Sequence, residues 1–170
     1  MRGPRISAWI AAAVILVAIT HAIGTSVAKS ATSLTVDGEV RTRLTLGAAD
    51  LAAMPRAKAS VHDDSGTSAV YEGVPVLEIL KRAGAALGTE LRGPNMTLCV
   101  VAGGSDGYQV VFALAEFDPG FTDEVILLAD HRDDQPLNSR EGPLRLIVPN
   151  DRRHARWVRG VVTLMLRNAR

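Results

Sequence analysis

Five arginines and one histidine fall within residues 142–161, GPLRLIVPNDRRHARWVRGV: Arg145, Arg152, Arg153, His154, Arg156 and Arg159. The whole chain carries a formal net charge of only +1, so this density of positive charge is a local feature. Guanidinium groups are planar, permanently charged and fork-shaped, which suits them to two-pronged contact with phosphate or another oxyanion. Arg152, Arg153, His154 and Arg156 follow Pro149-Asn150-Asp151, where the chain must turn, and a turn lets their donors converge on one anion. The competing reading is a solvated strand end, with Asp151 neutralising one arginine and Trp157 anchoring the turn in the core. Arg145 precedes the turn; alternation along a strand sets it opposite Leu144 and Leu146, at the sheet surface or edge.

A second wall for an anion pocket is offered by Asp106, Gly107 and Tyr108. They close the run Gly103-Gly104-Ser105-Asp106-Gly107, whose glycines permit close backbone approach and whose tyrosine brings a phenol. A hairpin loop followed by a strand tyrosine explains the same residues without a ligand. The run lacks the strand-to-helix setting of a dinucleotide loop. There is no Gly-x-Ser-x-Gly, and the histidines are scattered singly, without zinc spacing. The single cysteine, Cys99, permits no intramolecular disulfide and lies in the apolar stretch 97–102, where it reads as a small buried core residue.

These residues need a frame, and the sequence supplies a mostly-β one. Leu34-Thr35-Val36, Asp37-Gly38 and Glu39 to Leu46 read as a hairpin with an Asp-Gly turn. Residues 48–54 form a short helix stopped by Pro55. Strands are expected at 57–62 and 67–71, joined across the turn formers Asp63-Asp64-Ser65-Gly66. Val76, Leu77, Leu80 and Ala83 recur at helical spacing between Pro75 and Gly84. Further strands are expected at 97–102, 108–113, 125–129, 144–148 and 161–167. Hairpins outnumber crossover units, which predicts a single α+β domain rather than a doubly wound parallel sheet.

The first 28 residues are set apart from the fold. Arg2 and Arg5 precede an apolar run from Ile6 to Ile19, and Ser26-Val27-Ala28 places small residues where signal peptidase cuts, so residues 1–28 read as a signal peptide and 29–170 as the mature domain. A competing cut follows Ala22, and an uncleaved anchor is the alternative. The run is short for a bilayer span, so no stable span is expected after cleavage, and the protein is expected to be periplasmic or secreted. Removing two of 19 basic residues and none of 18 acidic ones leaves about 17 − 18 = −1. A near-neutral domain of this kind argues against a nucleic-acid partner.

Taken in order, SLTVDGEV, LTLGAADLAAMP, YEGVPVLEILKRAG, GSDGYQVVFALAEF and ILLADHRDDQPLNSREGPLRLIVPNDRRHARWVRGV resemble the sulfite oxidase-like family of molybdopterin-binding oxidoreductase domains, over roughly residues 34–168. The resemblance implies a mixed, mostly-β α+β fold and a molybdenum held by a pterin dithiolene with one protein thiolate. It also implies a pterin phosphate gripped by basic residues, putting Arg153, His154 and Arg156 in that role with Asp106 and Tyr108 nearby. The ligand cysteine is missing: the family's position falls at about His62, Asp63 or Asp64. A carboxylate or imidazole there is a harder ligand than a thiolate. His62 is thus either a replacement pocket residue or a turn-flanking histidine without a role. The resemblance therefore implies an oxidoreductase-like domain without turnover of its own. The alternatives are a non-catalytic module for a small anion or pterin ligand, and a docking subunit for an exported redox partner.

Overall fold

The computed structural model describes residues 33–62 and 66–169. The expected signal peptide, Asp63 and Asp64 lie outside the described residues. In chain order the elements are β1 (Leu34–Gly38), β2 (Leu44–Leu46), α1 (Ala48–Ala52), β3 (Ala57–His62), β4 (Ser68–Pro75), α2 (Val76–Ala83), β5 (Leu98–Gly104), β6 (Gln109–Ala113), β7 (Leu127–Arg132), β8 (Gln135–Pro136), β9 (Arg145–Ile147) and β10 (Val161–Asn168). Strands dominate and helices are few, as the α+β reading expects. Among the described residues, no helix is long and apolar enough to cross a membrane.

The strands form two sheets. The first runs β2-β1-β10-β5-β6. The second runs β3-β4-β7-β8, with β9 also paired to β7. Apolar side chains from both sheets, including Val36, Val100, Phe112 and Leu164 from the first and Tyr71, Leu128 and Leu146 from the second, join one continuous core. Helix α2 adds Val76, Ile79, Leu80 and Ala83, all completely buried. It stops where Gly84 takes a left-handed conformation at φ 73°, which lets the amide of Ala85 return to the carbonyl of Leu80 at 3.0 Å. The expected apolar stripe named Leu77 where the structure buries Ile79; Leu77 is only half-buried.

The first hairpin differs from its expectation. Asp37-Gly38 ends β1 and does not make a two-residue turn; residues 39–43 carry the chain to β2. The reason is long-range. β1 pairs in parallel with β10, with Gly38 opposite Leu166, and a Cβ on Gly38 would sit 2.0 Å from the Leu166 carbonyl oxygen. The glycine permits strand contact, not a turn. Conversely, Asp133 and Asp134 both take positive φ, 51° and 59°, and make the tight turn between β7 and β8.

Candidate functional site

The site is built on β9 and the loop that follows it. Residues 144–148 are buried throughout, Arg145 included, so this strand is covered on both faces. Continuous burial of this kind removes the alternation on which Arg145's surface placement rested. The expectation for Arg145 is therefore corrected: it is 4 % exposed. After β9 the chain turns through 149–153, makes a single 3-10 turn at His154–Arg156, and returns beside β9, where the amide of Leu146 donates to the carbonyl of Val158 at 2.8 Å.

A buried guanidinium is costly unless it is satisfied, and Arg145 is satisfied in part. Its Nη1 donates to Glu141 Oε1 and, at 3.2 Å, to the Tyr71 hydroxyl. Its Cζ lies 5.7 Å from the Tyr71 ring centre and 5.3 Å from that of Trp157, within cation–π range. Tyr71 and Trp157 meet edge to face at 5.9 Å, and His154 stacks on Trp157 at 3.8 Å. The Trp157 Nε1 donates to the Val148 carbonyl at 3.0 Å, so the tryptophan anchors the turn in the core as the sequence suggests. One donor stays unmatched: Arg145 Nε is buried without a hydrogen-bond partner among the described residues.

Two concavities adjoin this stack and share His154. The smaller, about 230 Å³, is lined by Asp106, Tyr108, Arg145, His154, Trp157 and Arg159. The larger, about 650 Å³, is lined by His62, Pro149, Asn150, Arg152, Arg153 and His154, among others. Arg152, Arg153 and Arg159 are exposed and form no ion pair among the described residues. The glycine loop is brought to the same place: the Tyr108 hydroxyl donates to the Ala155 carbonyl at 2.8 Å, and Asp106 Oδ1 accepts from the Tyr108 amide at 2.9 Å. Five of the six residues singled out in the sequence thus line these two hollows.

Arg156 is the exception. Its Nη2 and Nε meet Asp151 at 2.7 and 2.9 Å, and its Nη1 meets Glu116 at 2.7 Å. The hydrogen bonds with Asp151 and then Glu116 push its already high pKa further up, and its Cζ lies 4.6 Å from the Phe112 ring centre. Two carboxylates saturate this guanidinium, so Arg156 braces the turn and lines neither concavity. Sequence reading missed Arg145, Tyr71 and Trp157 as a set. Its available signal was the unbroken apolar character of LRLIV, which marks a strand with no solvent face for an arginine.

The donor set fits one part of a molybdopterin better than another. An orphaned guanidinium N–H beside Arg159 and His154 suits a phosphate or similar oxyanion. Among the described residues nothing comparable suits the metal. Cys99 is half-exposed on β5, opposite Ala113 and Arg167. It lies five strand residues, about 17 Å, from the Gly104 end that carries the site. Its side chain is on the outer face, alternating with buried Val100, so the expectation of a core cysteine is also corrected. Among the described residues no cluster of three or more histidine, cysteine or acidic side chains could hold a metal ion.

Comparison with known proteins places the chain in a family and its fold beside a solved structure. The family model described as oxidoreductase molybdopterin binding domain matches residues 21–169. Among solved structures, the sulfane dehydrogenase SoxCD from Paracoccus pantotrophus superposes with a TM-score of 0.62 at 20% sequence identity. That match covers 79% of this chain and 37% of that one, so this chain corresponds to little more than a third of its length. The likeness shows a shared fold. No curated protein matches the sequence.

Proposed function

The chain belongs to the oxidoreductase molybdopterin-binding domain family, and from that premise we propose that it is an exported domain that holds the phosphate-bearing end of molybdopterin without turning over a substrate by itself. The observation that carries this reading is the buried Arg145 guanidinium, with Nε unmatched among the described residues, in the wall of a hollow shared with Arg159 and His154. The described residues would hold the pterin's phosphate, and they offer no ligand set for the molybdenum that would carry its redox chemistry. The chain's part is to grip and orient. Arg145 offers a donor whose position is fixed by Glu141, Tyr71 and Trp157. Arg159 adds an exposed second charge from the rim. Asp106 and Tyr108 wall the small hollow, while Arg153 and His62 face the larger one. Arg156 keeps the turn in shape through Asp151 and Glu116.

Absence of turnover is supported by the sequence itself. The only cysteine is Cys99, and it lies at the wrong end of β5 to serve as the thiolate. Export to the periplasm or the medium is supported by the basic, apolar and small-residue order of residues 1–28. A docking role on an exported redox partner is compatible with the same loss of the thiolate.

Two measurements test the reading. Protein purified from a cofactor-producing host is assayed for molybdenum and pterin, and bound pterin without dye-reducing activity is the expected outcome. Stoichiometric molybdenum with turnover would overturn the non-catalytic half. In parallel, thermal shifts with phosphate or sulfate are compared with chloride at matched ionic strength. A ligand that binds only the folded state raises the melting temperature with the logarithm of its concentration. Wild type gains more than Arg153→Ala or Arg159→Ala, because each charge-assisted contact contributes on the order of 1.5–3 kcal/mol. Identical gains in all three would leave the arginines as a solvated strand end.

A further inference from the structure

A third hollow is lined by no arginine. It occupies about 380 Å³, within the size range of small-ligand pockets, and is walled by Pro75, Leu77, Phe117, Pro119, Val125 and Ile126. Ala57 also borders it, at the start of β3, whereas His62 of the arginine site ends that strand. Along β3 the two linings are five residues, about 16 Å, apart, but they adjoin elsewhere, where the Asn150 amide of the arginine hollow donates to Glu124 of this one at 2.9 Å. Its rim carries Glu78, Asp123 and Glu124 and no basic residue. Glu78 is matched by Lys81 at 2.8 Å, but Asp123 and Glu124 form no ion pair among the described residues.

Hydrogen bonds tie down the segments that wall the hollow. Asp118, 3 % exposed, accepts from the Gly88 amide at 2.5 Å and from the Gly120 amide at 2.8 Å. Glu124 Oε1 accepts from the Asn150 amide at 2.9 Å, and the Val76 amide donates to the Ile126 carbonyl at 3.0 Å. Leu77, turned out of the core despite its place on α2, forms part of the wall. Val125 remains 48 % exposed at the mouth. A fixed apolar hollow with an unneutralised acidic rim selects its occupant by charge as well as by shape.

We propose that this hollow binds a small amphipathic cation, an apolar body of fragment size carrying an amine. The body displaces water from Leu77, Phe117 and Val125, and the ammonium stays at the rim against Asp123 and Glu124. The site is distinct from the small hollow beside Arg145 and meets the larger arginine hollow through the Glu124–Asn150 hydrogen bond.

Three probes with one body and different head groups test it: 4-phenylbutylamine, 4-phenylbutanol and 4-phenylbutanoate, titrated by calorimetry or ligand-observed NMR. The amine binds with a dissociation constant below about 1 mM, the alcohol about fivefold more weakly and the carboxylate more weakly still. Asp123→Asn lowers the preference for the amine over the alcohol about threefold. High salt does the same by screening. Leu77→Arg, which puts a tethered cation into the hollow, abolishes binding of all three. Val125→Lys repeats that test from an exposed position, should Leu77→Arg fail to fold. Equal affinity for the three probes, binding unaffected by either blocking variant, or no saturation up to about 10 mM overturns the proposal.

Discussion

Glu141 is the carboxylate on which the buried part of the arginine site depends. It receives Arg145 Nη1, and Arg132 Nη1 lies 3.6 Å from the same oxygen. Removing one member of a buried charge pair strands the other, at a cost of about 3–5 kcal/mol, whereas replacing both by apolar groups is far milder. Glu141→Ala is therefore expected to lower stability by about 3 kcal/mol, and Arg145→Met with Glu141→Ala by clearly less, as read by urea unfolding; additive losses would show that the pair is not coupled. Cys99→Ala, by contrast, removes a half-exposed sulfur from the outer face of β5 and should cost less than about 1 kcal/mol in the same assay. A larger loss would restore the core placement that its apolar neighbours suggest. These residues mark where the sequence was readable and where it was not. The clustering of Arg153, His154 and the Asp106–Tyr108 loop was implied by the family resemblance. The fate of Arg145 and Arg156 depended on Glu141, Glu116 and Asp151, and only Asp151 is close enough in sequence to Arg156 to suggest the pairing.

Elements show a similar division. Helix α2 was legible to its first and last residue, because Pro75, Gly84 and an apolar stripe are local signals that agree. The first hairpin was not, because the glycine of Asp37-Gly38 answers to β10, more than a hundred residues later in the chain. Gly73 makes the same point on the second sheet. It sits at the irregularity where β4 pairs with β7, and a Cβ there would meet the Leu128 carbonyl oxygen at 2.1 Å and the Ala129 Cα at 2.5 Å. Both obstacles are backbone, so no side chain can yield. Gly73→Ala is expected to destabilise the fold by about 2–4 kcal/mol, measured as a lower denaturation midpoint. Gly66→Ala is the comparison: it adds the strain of a positive φ, 77°, which Gly73 does not have, but has open space around its Cβ, and should cost less. Equal losses would mean that the close approach of β4 and β7 relaxes freely.

Across the whole molecule, acid sensitivity should centre on the ion pairs that tie β3, β4 and β7 together. Arg56 Nε meets Glu72 at 2.8 Å, and its Nη2 meets Asp130 at 2.5 Å. Burial pulls Asp130 upward, but hydrogen bonds from Arg56 and His131 prevail and hold it below its ordinary 3.8. Arg56 and then Lys58 hold Glu72 below its ordinary 4.5. Both carboxylates are lower in the folded state, so their contribution is fully present above those ordinary values and is lost as pH falls through the folded ones. Arg56 stays charged in both states and adds no slope of its own. The melting temperature should therefore fall below about pH 4.5, less steeply in Arg56→Met; parallel profiles would remove the network from the account. The order of the first sheet carries a consequence of a different kind. Strand β10, which follows the other described strands in the chain, lies between β1 and β5. Until residues 161–168 have left the ribosome, β1 and β5 have no strand to bridge them, and the sheet's middle is an empty slot. Biosynthesis thus delivers β1, β2, β5 and β6 before the strand that unites them, and this sheet stays in a threadable, unfinished form until β10 arrives.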